Sequence, residues 1–308
     1  MTMATNTTTV SGPGNGADTT GPTGTVPGPP ARQSGAGAWH RYASALRRPR
    51  GAAGAGLLAL LILAAVLAPI LFPNGYDDQS SGALAGPSAG HWLGTDELGR
   101  DILARTVFGL RTDISLLLTA VPLSAAIGTL MGLAGVITRW LGTGMQRLLD
   151  IILGFPGLIL GMTIVLVVGT GWLALFLSIL VVGLPMFGRQ ARAGLLVEQE
   201  REYVLAARVL GVRKRTVMVR HVLPNIVDPI VVNASVFMVV AIFIEAGLSI
   251  VGLGIEPPVP SLGAMLNTGA RYVEVHPAYI IGPGLVLLLL ALGFTLLSDA
   301  LNKAVLKR

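Results

Sequence analysis

Long apolar runs, separated by polar stretches, dominate the chain after its first fifty residues. Six of them lie over roughly 52–72, 114–137, 149–168, 172–188, 229–252 and 278–298. Each approaches the ~20 residues with which a helix crosses the hydrocarbon core of a bilayer. Pro122, Pro156 and Pro185 fall within or near these runs; packed membrane helices tolerate such kinks where a lone soluble helix would break. Gly128 and Gly132 form a small-xxx-small face that lets a neighbouring helix approach closely, without specifying which one. The pattern predicts an all-α integral membrane protein with six transmembrane helices.

Composition points the same way. The 308 residues are 52% hydrophobic and 12% charged, against about 25% charged in a soluble domain, and the mean hydropathy is +0.70. Residues 1 to about 38 stand apart: they are mostly Thr, Gly, Pro, Ala and Ser and cannot bury enough surface to offset their ordering entropy, so disorder is expected there. Asn6-Thr7-Thr8 matches a glycosylation acceptor by chance if the tail is cytoplasmic. The first apolar run starts near residue 52, behind this tail, and reads as an uncleaved membrane helix rather than a signal peptide.

Charge orients the spans. Of the 22 Lys and Arg, only Arg100, Arg105, Arg111 and Arg271 fall in the loops after the first and fifth runs. The others sit in the N-terminal tail, at Arg139 and Arg147, between Arg189 and Arg220, or at Lys303, Lys307 and Arg308. Positive charge marks the cytoplasmic side, so both termini and the 189–225 loop are expected in the cytoplasm. The net charge of +6 is explained by orientation and calls for no nucleic acid partner.

Two outward loops follow from that assignment. In the first, about 73–113, HWLGTDELGRDILARTVFGLR reads as a short amphipathic helix at the outer interface, with Asp96 and Glu97 near its N-terminus and Asp101 and Arg105 on its polar face. The second, about 253–277, is rich in Gly and Pro and stiffened by Pro257, Pro258 and Pro260.

Several chemistries are excluded. There is no cysteine, and the four histidines are far apart, so neither a thiolate nor a metal site is expected. No phosphate-binding Gly-x4-Gly-Lys motif occurs, because none of Lys214, Lys303 and Lys307 follows a glycine. Any nucleotide must bind another polypeptide. Glu245 lies inside the apolar run VFMVVAIFIEAGLSIVG, and an ionisable group at that depth is a functional candidate by default. It either lines a substrate path or bonds across a helix interface; both readings are open. Asp150 and Asp299 are read as solvated or paired with Arg147 and Lys303.

The 189–225 loop is long for a helical bundle. Tyr203 to Leu210 should form one helical piece stopped by Gly211, and Val212 to Leu223 a second one ended by Pro224. Two short helices edged with Arg and Glu would make a docking knob. The Arg213-Lys214-Arg215 cluster would contact either lipid headgroups or a soluble partner.

Ala206, Ala207, Gly211, Leu223 and Pro224 together resemble the EAA loop of ABC importer permeases. HWLGTDELGRDILARTVFGLR and EAGLSIVGLGIEPPVPSLGAML narrow the resemblance to the dipeptide/oligopeptide/nickel type, C-type (second) permease, over about 50–300. Leu205 stands where that pattern has Glu, and Glu200 or Glu202 are candidates to replace it from a nearby face.

The resemblance implies a type I ABC importer permease fold with both termini cytoplasmic. It divides the chain into a disordered tail (1–49), a first transmembrane helix with its outer loop (50–108), a transmembrane core (109–302) containing the coupling loop 189–225, and a short tail (303–308). It implies no catalysis in this chain. Tyr203, Ala206, Ala207, Arg208, Gly211, Arg213, Leu223 and Pro224 would couple the chain to an ATPase. The implied partners are a second homologous permease, two ATP-binding subunits that hold ATP and Mg, and an extracytoplasmic substrate-binding protein. The setting is the bacterial cytoplasmic membrane. Di- and oligopeptides are the implied cargo, with nickel complexes, glutathione-like peptides and short oligosaccharides as alternatives. An ion-coupled secondary transporter would need internal repeats and paired ionisable groups, of which only Glu245 is visible. A membrane scaffold or receptor would keep the knob without any path.

Overall fold

The computed structural model describes residue 43 and residues 46–305. The expected disorder of the N-terminal tail, and the last three residues of the C-terminal tail, lie outside the described residues. The principal helices are α1 (Pro49–Leu71), α2 (Ile102–Leu133), α3 (Arg139–Leu153), α4 (Gly157–Val168), α5 (Trp172–Gln199), α6 (Glu202–Val209), α7 (Lys214–Val217), α8 (Leu223–Ile250), α9 (Leu262–Ala270) and α10 (Ala278–Val305). A 3₁₀ turn (Ala134–Val136) ends α2, and a π turn (Met218–Val222) joins α7 to α8. Among the described residues only isolated β-bridges occur, such as Gln79 with Arg100.

Five helices (α1, α2, α5, α8 and α10) are long and apolar enough to cross a membrane. The run at 149–168 is a bent pair, α3 and α4, meeting at 96°, and makes a sixth span if counted as one. The break falls at Phe155-Pro156, where Pro156 is the N-cap of α4 and cannot continue the helix before it.

The second span differs most from expectation. α2 begins at Ile102, about twelve residues before the predicted run, and absorbs the second half of the segment read as a separate interfacial helix. Asp101, not Asp96, caps it, its carboxylate accepting from the Ala104 amide at 2.9 Å. The amphipathic pattern there has a tertiary cause. Ile102 is fully buried with Met265 of α9 and Tyr279 of α10. Arg105, expected on the polar face of that helix, is buried and donates to the Tyr76 and Pro258 carbonyls at 3.2 and 3.4 Å.

The preceding segment folds over this end of the bundle. Asp96, with no exposed surface, accepts from Arg100 Nε at 2.6 Å and lies 3.4 Å from Arg105 Nε. Arg100 also reaches Asp77 and Glu97. Its burial would weaken the guanidinium's hold on its proton, but the surrounding carboxylates outweigh that and raise its pKa. Tyr279 donates to Glu97 at 2.8 Å, tying the segment to α10.

The small-xxx-small face on α2 finds its partner within this chain. A Cβ on Gly128 would lie 2.7 Å from the Leu184 carbonyl oxygen, and one on Gly132 only 2.2 Å from that of Gly188. α2 and α5 therefore pack backbone against backbone, which only glycine allows here. The core around them joins Leu116, Leu117, Leu175, Ile179, Phe187, Phe237, Leu248 and Leu290. Phe187 and Phe237 meet edge-on, centroids 5.6 Å apart. In contrast, Leu60, Leu63, Val66 and Ile70 on α1 are exposed, as lipid-facing side chains would be.

Candidate functional site

The Arg-rich segment between α5 and α8 is shorter than expected. α5 continues to Gln199 and α8 starts at Leu223, so the non-spanning part is 200–222 rather than 189–225. α6 carries Tyr203, Ala206, Ala207 and Arg208. Its end is a Schellman turn: Gly211 takes φ +73°, and the Val212 amide donates back to the Ala207 carbonyl at 3.0 Å. A left-handed residue is required there, and glycine adopts it without a Cβ penalty.

The second helical piece departs from its predicted form. It is a single turn, α7, followed by the π turn, and it runs straight into α8. Pro224 lies in the first turn of α8 and so starts a span instead of ending a loop helix. The ladder entering α8 is already widened there, the Leu223 amide donating to the Met218 carbonyl, and Pro224 falls in the first turn, where proline is tolerated.

The segment has two distinct faces. Inward, Val204, Val217, Val222 and Ile226 pack with Leu133, Ala191 and Leu195 in a cluster separate from the main core, with Ala207 and Leu223 partly buried against it. Outward, Leu205 is half exposed, and Val209 and Leu210 are 87% and 81% exposed. Ala206, Gly211, Arg213 and Pro224 are exposed too. Of Arg208, Lys214 and Arg215 only the backbone is described. A Cβ on Gly211 would meet nothing. An apolar patch beside arginine, on a segment outside the spans, suits a protein partner better than water. Leu205, the departure from the EAA pattern, belongs to this patch. Val209 and Leu210 were missed in sequence because they look like ordinary members of a helical apolar stripe.

The sequence offers Glu200 and Glu202 as candidates to replace the EAA glutamate; a buried carboxylate that meets this segment is that of Glu198. Glu198 closes the last turn of α5, is buried, and accepts from the Tyr203 hydroxyl and from Asn225 Nδ2 at 3.3 Å. Arg201 Nε lies 3.3 Å from its other oxygen, and Asn225 also donates to the Tyr203 oxygen at 3.0 Å. Burial, and then the bond to Glu198, raises the Tyr203 pKa above its usual 10.0. Sequence offered Glu198 as one of several acidic residues; only the fold singles it out.

Within the spans, Glu245 is buried, its Oε1 accepting from Ser249 Oγ at 2.8 Å. Asp113 of α2 lies in the same region, with Oδ2 accepting from the Leu262 amide at 3.2 Å. Glu245 therefore bonds both within its own helix, to Ser249, and across to Ser261 at the start of α9, and shares a cavity with the Asp113 carboxylate. Asp150 and Asp299 are exposed, and among the described residues neither pairs with Arg147 or Lys303. Among the described residues no three His, Asp or Glu side chains converge as a metal site.

The sequence profile of binding-protein-dependent transport system inner membrane components matches residues 124–308. A dipeptide transport system permease protein of Alkalihalophilus pseudofirmus is 35% identical over 250 residues, 80% of this chain and 82% of the relative. A glutathione transport system permease protein of Pectobacterium atrosepticum is 35% identical over 272 residues, 86% and 90% of the two chains. One from Escherichia coli is 35% identical over 274 residues, 86% and 89%.

Proposed function

The chain belongs to the family of binding-protein-dependent transport system inner membrane components, and from that premise we propose that it is the second permease of an ATP-driven importer of short peptides. The observation that carries this reading is the likeness, over at least 80% of the chain, to permeases named for dipeptide and for glutathione transport. Both cargoes are short peptides.

The assembly contains a related permease, two cytoplasmic subunits that bind ATP and Mg, and an extracytoplasmic substrate-binding protein. The 200–222 segment docks on an ATP-binding subunit, supported by its outward Leu205, Val209 and Leu210 beside Arg213. Tyr203, Ala206, Ala207, Arg208, Gly211, Leu223 and Pro224 shape and anchor that surface. Nucleotide binding closes the ATPase pair, and the docked segment moves α5 and α8 toward an outward-open state. Hydrolysis resets the inward-facing one. No covalent step occurs in this chain; gating follows from differential affinity for two conformations. Glu245 contributes to the path that opens between them.

Reconstitution with its partners tests this. Proteoliposomes supplied with ATP inside and loaded binding protein outside should accumulate labelled dipeptide, and omitting the ATP-binding subunits should abolish uptake. Accumulation of a nickel complex or oligosaccharide in place of peptide would replace the cargo. Uptake driven by an ion gradient without nucleotide would overturn the whole reading.

A further inference from the structure

One buried carboxylate joins the 200–222 segment to both flanking spans, beside the apolar cluster beneath it. Glu198 belongs to the last turn of α5, Tyr203 to α6 and Asn225 to the first turn of α8. Their side chains meet at a single point: Tyr203 and Asn225 both donate to Glu198 Oε2, and Arg201 approaches Oε1. Few residues could serve here. The site needs an acceptor with several lone pairs, able to bind a hydroxyl, an amide and a guanidinium together, which a carboxylate supplies.

The surroundings let this point act as a joint. The apolar cluster under α6 is distinct from the main core. Beside it lies a cavity of about 340 Å³ lined by Gly135, Val136, Gln199, Val204, Val217, Met218 and Val222. The π turn enters α8 along the same wall. Apolar contacts slide and refill such a space without directional preference, whereas the bonds at Glu198 hold one geometry. Motion of α6 is therefore passed to α5 and α8 through Glu198 as well as through the backbone.

We propose that Glu198 is the positioning residue that transmits movement of the coupling segment to both flanking spans. This inference rests on the importer reading above. A rigid clasp makes the ratio of peptide transported to ATP hydrolysed high; a slack one lets the ATPase turn over while the spans lag.

Three variants in the reconstituted transporter test it: Glu198→Gln, Glu198→Asp and Tyr203→Phe. Glu198→Gln keeps the side-chain shape but loses the charge, and should lower the transport-to-hydrolysis ratio at least tenfold while the ATP-binding subunits still co-purify. Glu198→Asp, which restores the charge, should recover part of the ratio. Tyr203→Phe should lower it in the same direction, and combined with Glu198→Gln should add little, because the two act as one unit. A wild-type ratio in both Glu198→Gln and Tyr203→Phe overturns the proposal. So does loss of the ATP-binding subunits from all three variants, since Glu198 would then merely fold the docking surface. If the wild-type assembly shows no ATP-driven uptake at all, the importer reading has failed instead, and the two outcomes are told apart by that control.

Discussion

Asp113 of α2 and Glu245 of α8 line one cavity of about 10 Å³ inside the helix bundle, with Leu117, Ile242, Leu287 and Leu290 as its apolar walls. That is room for roughly one water. Leu262 N donates to Asp113, and Ser249 and Ser261 hydrogen-bond to Glu245, while Asp113 Oδ1 has no partner. Glu245→Gln retains an acceptor for Ser249 and should change stability by less than about 1 kcal/mol. Glu245→Ala should cost about 1–3 kcal/mol, since it leaves the serine hydroxyl buried without its acceptor. Thermal melting of the assembled transporter in nanodiscs checks both. Uptake by the Gln variant tests the path assignment: loss of uptake with unchanged melting supports it, and normal uptake removes Glu245 from the path.

At the outer end, Asp96 is the shared partner of Arg100 and Arg105, all three buried. Asp96→Ala leaves two buried cations short of a counter-charge, at a cost of about 3–5 kcal/mol. Limited proteolysis should then cut within residues 76–100 far faster than in wild type. An unchanged digestion pattern would mean that the segment is held without Asp96, by contacts such as Tyr279–Glu97 and Ser80–Gly99.

Gly211 is set by backbone conformation and not by space. Gly211→Ala should destabilise the coupling segment by about 1–2 kcal/mol because φ +73° disfavours a Cβ. Gly211→Trp adds an obstruction at the docking surface and should uncouple uptake from ATP hydrolysis without preventing membrane insertion. Normal uptake together with normal substrate-stimulated hydrolysis in the Trp variant would count against docking through this turn.

Val209→Asp and Leu210→Asp test the outward patch. Both side chains are almost fully exposed, so the folded subunit should lose no more than about 0.5 kcal/mol. Binding to the ATPase should nevertheless weaken, measured as a lower yield of the ATP-binding subunits pulled down with this chain. Equal yields would place the contact elsewhere.

Tyr203 should keep its proton through neutral and mildly alkaline pH. With its folded pKa raised above the usual 10.0, its contribution to the coupling segment is fully present below that value and fades as pH climbs through the folded one. Coupling efficiency should therefore be flat across ordinary assay pH. Phenolate absorbance of wild type against Tyr203→Phe reads the titration directly, and a Tyr203 titration below 10.0 would contradict the bond to Glu198.

Membrane residence and the helical class were legible in the sequence, because each depends on sums over many residues. Twenty apolar positions in a row leave a chain few choices in water, and the biased Lys and Arg orient it. Gly211 was legible as a helix stop too, since the left-handed turn is a local demand. What only the tertiary structure decided were matters of partnership. α2 could start at Ile102 because α9 and α10 cover its apolar side, and Arg105 could be buried because Asp96 and two carbonyls meet it. Pro224 reads as a terminator locally, yet it opens α8. Glu198 was one acid among several until α5, α6 and α8 converged on it, and Asp113 gained meaning only beside Glu245. Pairings between distant residues depend on how helices cross, and hydropathy along one strand of text carries no record of that crossing.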